Sequence, residues 1–329
     1  MVNAGAYQLI TDHIYNIWCK KDEAVYNYVM NWLAHLVQKP NVKIGTAILL
    51  KSQFQGAGKN IITDFIGNYV IGSRYYNTIN DIEQVVGRFN SESENKLLTI
   101  CDEIQNYGGA HKSNDKLKSL ITQTQQKIER KGLDIQTIND FNNYIFLTNN
   151  DWAIKIEASD RRYLALELSN EVATDKAYFD AIGRCHNQVV GKHFFHALAR
   201  RNISDWNPRA IPDTDLKCEL KLNSVPSAIK FVIDVLKGEI DNVQFGEDKK
   251  LKIHTNILYR EFNIWRENKG IAEQLSEQTF SKNLNKIVKS KQMRINGNNK
   301  FGFEFDFDAT INSIKTYLKM PDADILNLE

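Results

Sequence analysis

The residues with the clearest chemical purpose are Gly56, Ala57, Gly58, Lys59 and Asn60, which stand between an apolar run, KIGTAILLK (43–51), and a segment of helical period, NIITDFIGNYVIG (60–72). Glycines let backbone N–H groups turn inward around phosphate oxygens. The start of the following helix adds the positive end of its dipole, and a lysine in the place of Lys59 reaches the β- and γ-phosphates. The segment reads as a P-loop with two departures: Gln53 stands where the usual pattern opens on glycine, and Asn60 where it closes on Ser or Thr. The amide oxygen of Asn60 is an Mg²⁺ donor of a different kind from the usual hydroxyl.

Three further groups occur at the ends of apolar, strand-like runs. KLLTICDE (96–103) ends in Asp102, placed to hold Mg²⁺ directly or through water, and Glu103, placed to polarise an attacking water. NYIFLTNN (143–150) ends in amides, and Asn149 is placed to orient that same water; taken alone, an Asn at a strand end is more often a turn former. RRYLALELS (161–169) begins with Arg161 and Arg162 after Asp160. A fixed cation that neutralises charge developing on the γ-phosphate gives large rate factors, and in ring ATPases it comes from the adjacent subunit. The plainer reading is a solvated ion pair with Asp160. In an open parallel sheet the strand C-termini line the ligand crevice, so acids and amides at those ends sit where chemistry happens. Between the first and second of these runs lie Lys127, Arg130 and Lys131, with Gly132 permitting a tight turn. They present compact positive charge to a phosphate backbone without reading sequence, or else form a solvated basic turn. His111 and Lys112, after Gly108 and Gly109, read as a second basic loop, more simply solvated.

These groups need a scaffold, and the composition allows one. The chain has 329 residues, 42% hydrophobic and 25% charged, with 5 prolines, a globular composition long enough for about two domains. Forty-two basic residues against 40 acidic leave a net charge of +2, which excludes a protein that coats nucleic acid with its whole surface and leaves local patches. Cys19, Cys101, Cys185 and Cys218 form no C-x-x-C pair and read as reduced thiols of a cytoplasmic protein. No apolar run approaches the ~18 residues of a membrane span, and the N-terminus lacks the order of a signal peptide. The expectation is a cytoplasmic protein with no membrane partner.

Along the chain, residues 1–40 carry Ile14, Ile17, Trp18, Tyr28, Trp32 and Leu36 at helical intervals, read as two helices closed by Pro40. Residues 41–200 alternate strand-like and helical patterns, the signature of an α/β domain with a parallel sheet. The stretch 201–224 reads as a linker, opening with NISDWNPRAIPDTD (202–215), which has no helical period. Residues 225–329 hold three helical patterns, PSAIKFVIDVLKG, HTNILYREFNIWRENKG and SEQTFSKNLNKIV, then two strand-like pieces, QMRING and KFGFEFDF. That order suggests a winged-helix-like α+β domain. From Gln278 to Phe303 there is no acid, while Lys282, Lys286, Lys289, Lys291, Arg294 and Lys300 accumulate, a nucleic-acid surface or a solvated face.

The set of motifs resembles the superfamily three helicases of small DNA viruses and phages, and looks most like the helicase module at the C-terminal end of phage and plasmid primase-polymerases. The likeness starts at NWLAHLVQKPNVKIGTAILL, runs through QGAGKN and VVGRFNSESENKLLTICDE, and reaches FLTNN and SDRRYLALEL, about residues 28–170. It implies a P-loop AAA+-like core and a ring, usually hexameric, that hydrolyses ATP with Mg²⁺ between subunits and moves 3′ to 5′ on single-stranded DNA. Carried over by motif, Lys59 and Asn60 belong to the Walker A, Asp102 and Glu103 to the Walker B, Asn149 to the sensor, and Arg162, with Arg161 as rival, to the arginine finger. The family places a DNA-gripping hairpin at QQKIERKGLDI (125–135), with Lys131 at or beside its tip and Arg130 and Lys127 nearby. The implied partners are single-stranded or forked DNA, further copies of the chain, and a primase/polymerase domain in the same or another chain, in a phage-infected bacterial cell. Two rival functions stay open: a nucleotide-gated DNA clamp that tethers a polymerase with little ATP turnover, and a small-molecule P-loop kinase.

Overall fold

The computed structural model describes residues 3–326 apart from 55, 82, 88–89, 103–110, 133, 151–153 and 296, and gives the backbone alone for 86 and 111–114. The chain divides into two compact units, Met1–Lys155 with Asp160–Lys217, and Ile156–Ser159 with Cys218–Glu329.

The first unit opens with α1 (Gln8–His13), a wide π turn over Ile14–Trp18, and α2 (Glu23–Gln38). Asp22 caps α2 by accepting the Val25 N–H at 2.9 Å, and the helix ends two residues before Pro40, which cannot continue it. Then follow β1 (Ala47–Lys51), α3 (Lys59–Phe65) with a π-helical continuation to Gly72, β2 (Tyr76–Ile79), α4 (Glu83–Val86), β3 (Leu98–Cys101) and α5 (His111–Thr122). A two-stranded antiparallel hairpin, β4 (Gln125–Ile128) and β5 (Gln136–Asn139), leads into β6 (Asn143–Thr148), β7 (Tyr163–Glu167), α6 (Lys176–Arg184) and α7 (Gln188–Arg200).

Five strands form one sheet in the order β2-β3-β6-β1-β7, every pairing parallel. The β1 and β6 residues are buried throughout, as expected of parallel strands covered on both faces. The helices of residues 8–38 join the same apolar core as the sheet: Ile14, Trp18, Val29 and Trp32 cluster with Ile48, Leu50, Phe65 and Leu147. The apolar run 43–51 yields a strand only from Ala47 on, because Gly45 adopts φ +73°, a left-handed conformation that breaks extended pairing. The edge strand β2, YNTI, escaped the sequence reading because its polar alternation looks like a loop. His111 and Lys112, expected in a basic loop, form the first turn of α5.

The second unit contains most of α8 (Asp215–Asn223), which starts in the first unit, then α9 (Ser227–Leu236), β8 (Lys250–His254), α10 (Thr255–Asn268), α11 (Glu277–Leu284), β9 (Lys291–Ile295), β10 (Asn298–Asp306) and α12 (Phe307–Leu318). From α9 onward the order helix, strand, helix, helix, strand, strand is that of a winged helix, with the antiparallel sheet ordered β8-β10-β9. Phe231, Phe262 and Phe280 pack at ring-centroid separations of 4.8 to 6.4 Å and share one cluster with Phe303 and Phe305. All four cysteines are buried and none forms a disulfide. Among the described residues no helix is long and apolar enough to cross a membrane.

One buried ion pair ties the sheet to the hairpin. Lys43, ahead of β1, bonds Asp140, between β5 and β6, with side-chain exposures of 1% and 2%, and its ammonium lies 5.6 Å from the Tyr144 ring centroid. Burial lowers the Lys43 pKa, and Asp140 opposes that shift. Lys43→Met is therefore expected to cost about 3 to 5 kcal/mol by stranding the Asp140 charge, while Lys43→Met with Asp140→Leu recovers most of it. Urea denaturation of the two variants checks this.

Candidate functional site

Parallel pairing brings the C-terminal ends of the strands to one edge: Lys51 is opposite Thr148 on one side and Glu167 on the other. Ser52, Asp102 and Asn149 each follow the last residue of a strand there. Between Ser52 and α3 the chain makes its glycine turn. Gly56 and Gly58 adopt φ +81° and +87°, and Ala57 is buried. Gly58 is required on two counts, since a Cβ there would also meet the His13 ring at 2.5 Å and Phe179 at 2.9 Å.

Lys59, the first residue of α3, is only 8% exposed. Its Nζ donates to Ser52 Oγ at 2.6 Å, to the Thr148 carbonyl at 3.0 Å and to Asn149 Oδ1. Asn60 Nδ2 donates to Asp102 Oδ2. Thus four residues singled out by sequence form two hydrogen-bonded pairs, Lys59 with Asn149 and Asn60 with Asp102, brought together because Lys59 and Asn60 are consecutive, with Gly56, Ala57 and Gly58 forming the loop beside them. Glu103 lies outside the described residues. An amide oxygen and a carboxylate are hard donors of the kind Mg²⁺ takes; Asn60 turns its Nδ2 to Asp102, so the two side chains are close enough to fit such an ion once the amide presents Oδ1 instead.

The other expected residues lie elsewhere. Arg161 and Arg162 precede β7, at the opposite end of the strand from Glu167; at ~3.3 Å per residue the five steps from Arg162 to Glu167 span roughly 16 Å. Arg162 donates from its backbone N–H and from Nη1 to Asp160, at 2.9 and 3.1 Å, and Arg161 is exposed. On the hairpin, Arg130 is held by a fork to Glu94 and by Gln136 Oε1 at 3.0 Å, whereas Lys127 and Lys131 are exposed. Gly132 takes φ +79° in the turn beside Lys131. A cleft of about 1000 Å³, lined in part by Asp115, Lys116, Gln125 and Lys127, flanks this hairpin and holds no P-loop residue.

Sequence reasoning passed over two contributors. Ser52 reads as a loop polar residue after a strand, yet it is fully buried, accepts from Lys59 and donates to the Phe54 carbonyl at 2.9 Å. His13, from α1, bonds the Tyr178 hydroxyl at 3.0 Å through Nδ1 and lies with its Nε2 edge against Gly58. Only the tertiary fold brings residue 13 to residue 58, and no local spacing signals it. Gln53 has partners too: its amide donates to Glu167 at 3.3 Å and accepts from Asn170 at 3.5 Å, tying the loop to the end of β7.

Residues 50–162 match a family of unknown function, DUF5906. The chain is 29% identical over 143 residues to the DNA primase-polymerase of Nitratiruptor phage NrS-1, an alignment that takes in 43% of this chain and 19% of that protein, so the match spans about a fifth of the relative's length. Two solved apo structures of the NrS-1 C-terminal region match with TM-scores of 0.66 and 0.65, at 17% identity, over 90% of this chain and 75% of theirs. The chain thus resembles a phage primase-polymerase in sequence and the C-terminal region of that polymerase in fold.

Burial pushes the His13 pKa down to about 4, a shift that the backbone of Gly58 only partly offsets. The unfolded imidazole titrates near 6.5, so the unfolded chain takes up the proton first and stability falls as pH drops from about 6.5 to about 4, by roughly 3 kcal/mol in full. His35 and His186, also lowered by burial, act in the same direction. In thermal melts at pH 7 and pH 4.5, His13→Gln is expected to show a smaller acid-induced loss than the wild type.

Proposed function

We propose that the chain is an ATP-dependent DNA helicase acting as a ring, six copies by the family resemblance, in phage-type replication. The observation that carries the reading is the hydrogen-bonded set around Lys59, in which a glycine loop, a lysine, an amide and an acid converge on the C-terminal edge of a parallel sheet. In this reading Lys59 exchanges its protein acceptors for the β- and γ-phosphate oxygens of ATP, and the backbone N–H groups of 56–60 cradle the phosphates. Asn149, already in contact with Lys59, orients the attacking water, which Glu103 polarises. Asn60 and Asp102 would hold Mg²⁺, which when bound offsets phosphate charge.

The position of Arg161 and Arg162 supports a multi-subunit site. They stand a strand's length from the loop of their own chain, so an arginine finger at either position serves a neighbouring copy. Lys131 and Lys127 on the exposed hairpin would hold DNA phosphates without sequence preference, while Arg130, engaged by Glu94, stiffens the turn. Single-stranded or forked DNA is the partner in this reading, with a primase/polymerase domain in the same or another chain supplying synthesis.

A second reading, a nucleotide-gated clamp that tethers a polymerase and turns over little ATP, is favoured by Asn60 at the usual hydroxyl position and by the tie from Gln53 to Glu167. ATP hydrolysis on a size-resolved sample, with and without single-stranded DNA, separates the two. The helicase reading expects DNA-stimulated turnover in a multi-subunit fraction, lost in Lys59→Ala and in Glu103→Gln, with Glu103→Gln still binding ATP. A ring without turnover that raises polymerase processivity selects the clamp, and an active monomer indifferent to DNA overturns both. Lys131→Ala is expected to weaken DNA binding and unwinding several-fold while sparing basal hydrolysis, and Arg162→Ala to bind ATP but hydrolyse it slowly even in an assembled ring.

A further inference from the structure

The winged-helix unit carries one aromatic ring that its own core does not use. Along β10 the phenylalanines 301, 303 and 305 alternate, so they share one face of the sheet. Phe303 and Phe305 are 0% and 2% exposed and stack on one another at 5.9 Å, whereas Phe301 is 60% exposed and enters no ring pair among the described residues. The row of rings thus runs out of the core onto the wing. Residues directly paired across antiparallel strands point to the same face, so the pairing of Phe301 with Gln292 and of Asn299 with Arg294 puts Gln292 and Arg294 beside the exposed ring.

The stretch of sequence that ends at this ring carries charge of one sign. The run 278–303 holds six cations and no acid, on a chain whose total is nearly balanced. Lys291 pairs with Glu304, which also binds Lys252 at 3.2 Å; Glu304 lies on the alternate face of β10. The remaining five, Lys282, Lys286, Lys289, Arg294 and Lys300, are exposed and make no ion pair among the described residues. A solvated face alone explains the lysines. What sets Phe301 apart from other exposed apolar side chains is its place, at the head of a packed row of rings and within this acid-free run.

We infer that the wing of this unit is a single-stranded nucleic-acid contact, in which a base stacks on Phe301 while Arg294 and the lysines of α11 and the following turn track the phosphates. Stacking on an aromatic ring tolerates any base, and a cationic groove follows the backbone without reading sequence. Duplex DNA keeps its bases stacked on one another and offers the ring nothing, so the preference is for a single strand. An acidic protein segment would use the same cations but would not need an aromatic ring in preference to another apolar side chain.

The test is nucleotide-free binding of a fluorescein-labelled oligo-dT by the whole chain, measured by anisotropy, so that it stands whether or not the chain hydrolyses ATP. A background carrying both Lys127→Ala and Lys131→Ala removes the proposed hairpin contact from the reading. Phe301→Ala and Phe301→Leu are each expected to weaken binding about tenfold, while Phe301→Tyr retains it. Arg294→Gln and Lys286→Gln are expected to lower the slope of log affinity against log salt by about 0.7 each. Melting temperatures should stay unchanged, because these side chains lie on the surface. Binding by Phe301→Leu equal to that of the wild type overturns the stacking claim. A duplex of the same length bound as tightly, with no effect of Phe301→Ala, reduces the surface to a nonspecific charge and overturns it as well.

Discussion

A lysine ammonium that is only 8% exposed must find acceptors inside the protein, and the first unit is arranged around that requirement. Lys59 finds them in Ser52, the Thr148 carbonyl and Asn149, which come from the ends of two neighbouring strands. The arrangement depends on β1 and β6 being adjacent and parallel. Reversing either would carry its end to the far edge of the sheet, and the ammonium would be left without partners at a cost of several kcal/mol. The same geometry leaves these acceptors replaceable, because phosphate oxygens offer more charge than a hydroxyl and two amide-type oxygens. Residues that stabilise the loop are thus the ones an incoming anion would displace.

The hairpin is coupled to this edge through one strand. Asp140 sits at its root, where the buried bond to Lys43 holds it, and β6 runs from Asn143 to Thr148 before Asn149 meets Lys59. At its start β6 is pinned by polar side chains as well: Asn143 Oδ1 accepts the Ile44 N–H at 3.0 Å, and Asn142 bonds Thr99 at 2.8 Å. A buried, fully paired strand with satisfied polar groups at both ends is a stiff connector, so displacement at either end has little room to dissipate between them. Lys43, which closes the root, stands four residues before the strand that carries the P-loop. The two ends of β1 and the two ends of β6 therefore face the same pair of groups, the loop on one edge and the hairpin root on the other.

The motif residues of the site were legible in the sequence because the glycine turn precedes a helical pattern and the others close apolar runs, by which parallel strands advertise themselves: LLTIC before Asp102 and NYIFLT before Asn149. Most of the winged-helix order was legible for the same reason, from three amphipathic patterns and a glycine-split pair of strands, but the short strand β8 ahead of α10 and the closing helix α12 were not read from the sequence. Features that depend on distant contacts were not. His13 is one polar residue in an N-terminal helix, and its burial against Gly58 follows from how α1 packs beside α6, which no spacing encodes. Ser52 becomes a buried acceptor only when Lys59 folds back over it. The strand β2 was hidden by its polar composition, and Arg130 looked free because its partner Glu94 is 36 residues away.

The departure at Gln53 looked serious in the sequence and is mild in the structure. A glycine is needed where the backbone turns left-handed, and in this loop those positions are Gly56 and Gly58; Gln53 is not among the residues of positive φ. A side chain at 53 therefore costs no backbone strain, and this one turns outward to Glu167 and Asn170. The position has exchanged flexibility for an anchor on the next strand. The part of the loop with the left-handed turns runs from Gly56 to Gly58, between that anchor and the buried ammonium of Lys59. What the motif has kept is the part that geometry demands, two left-handed glycines and a lysine at the start of the helix.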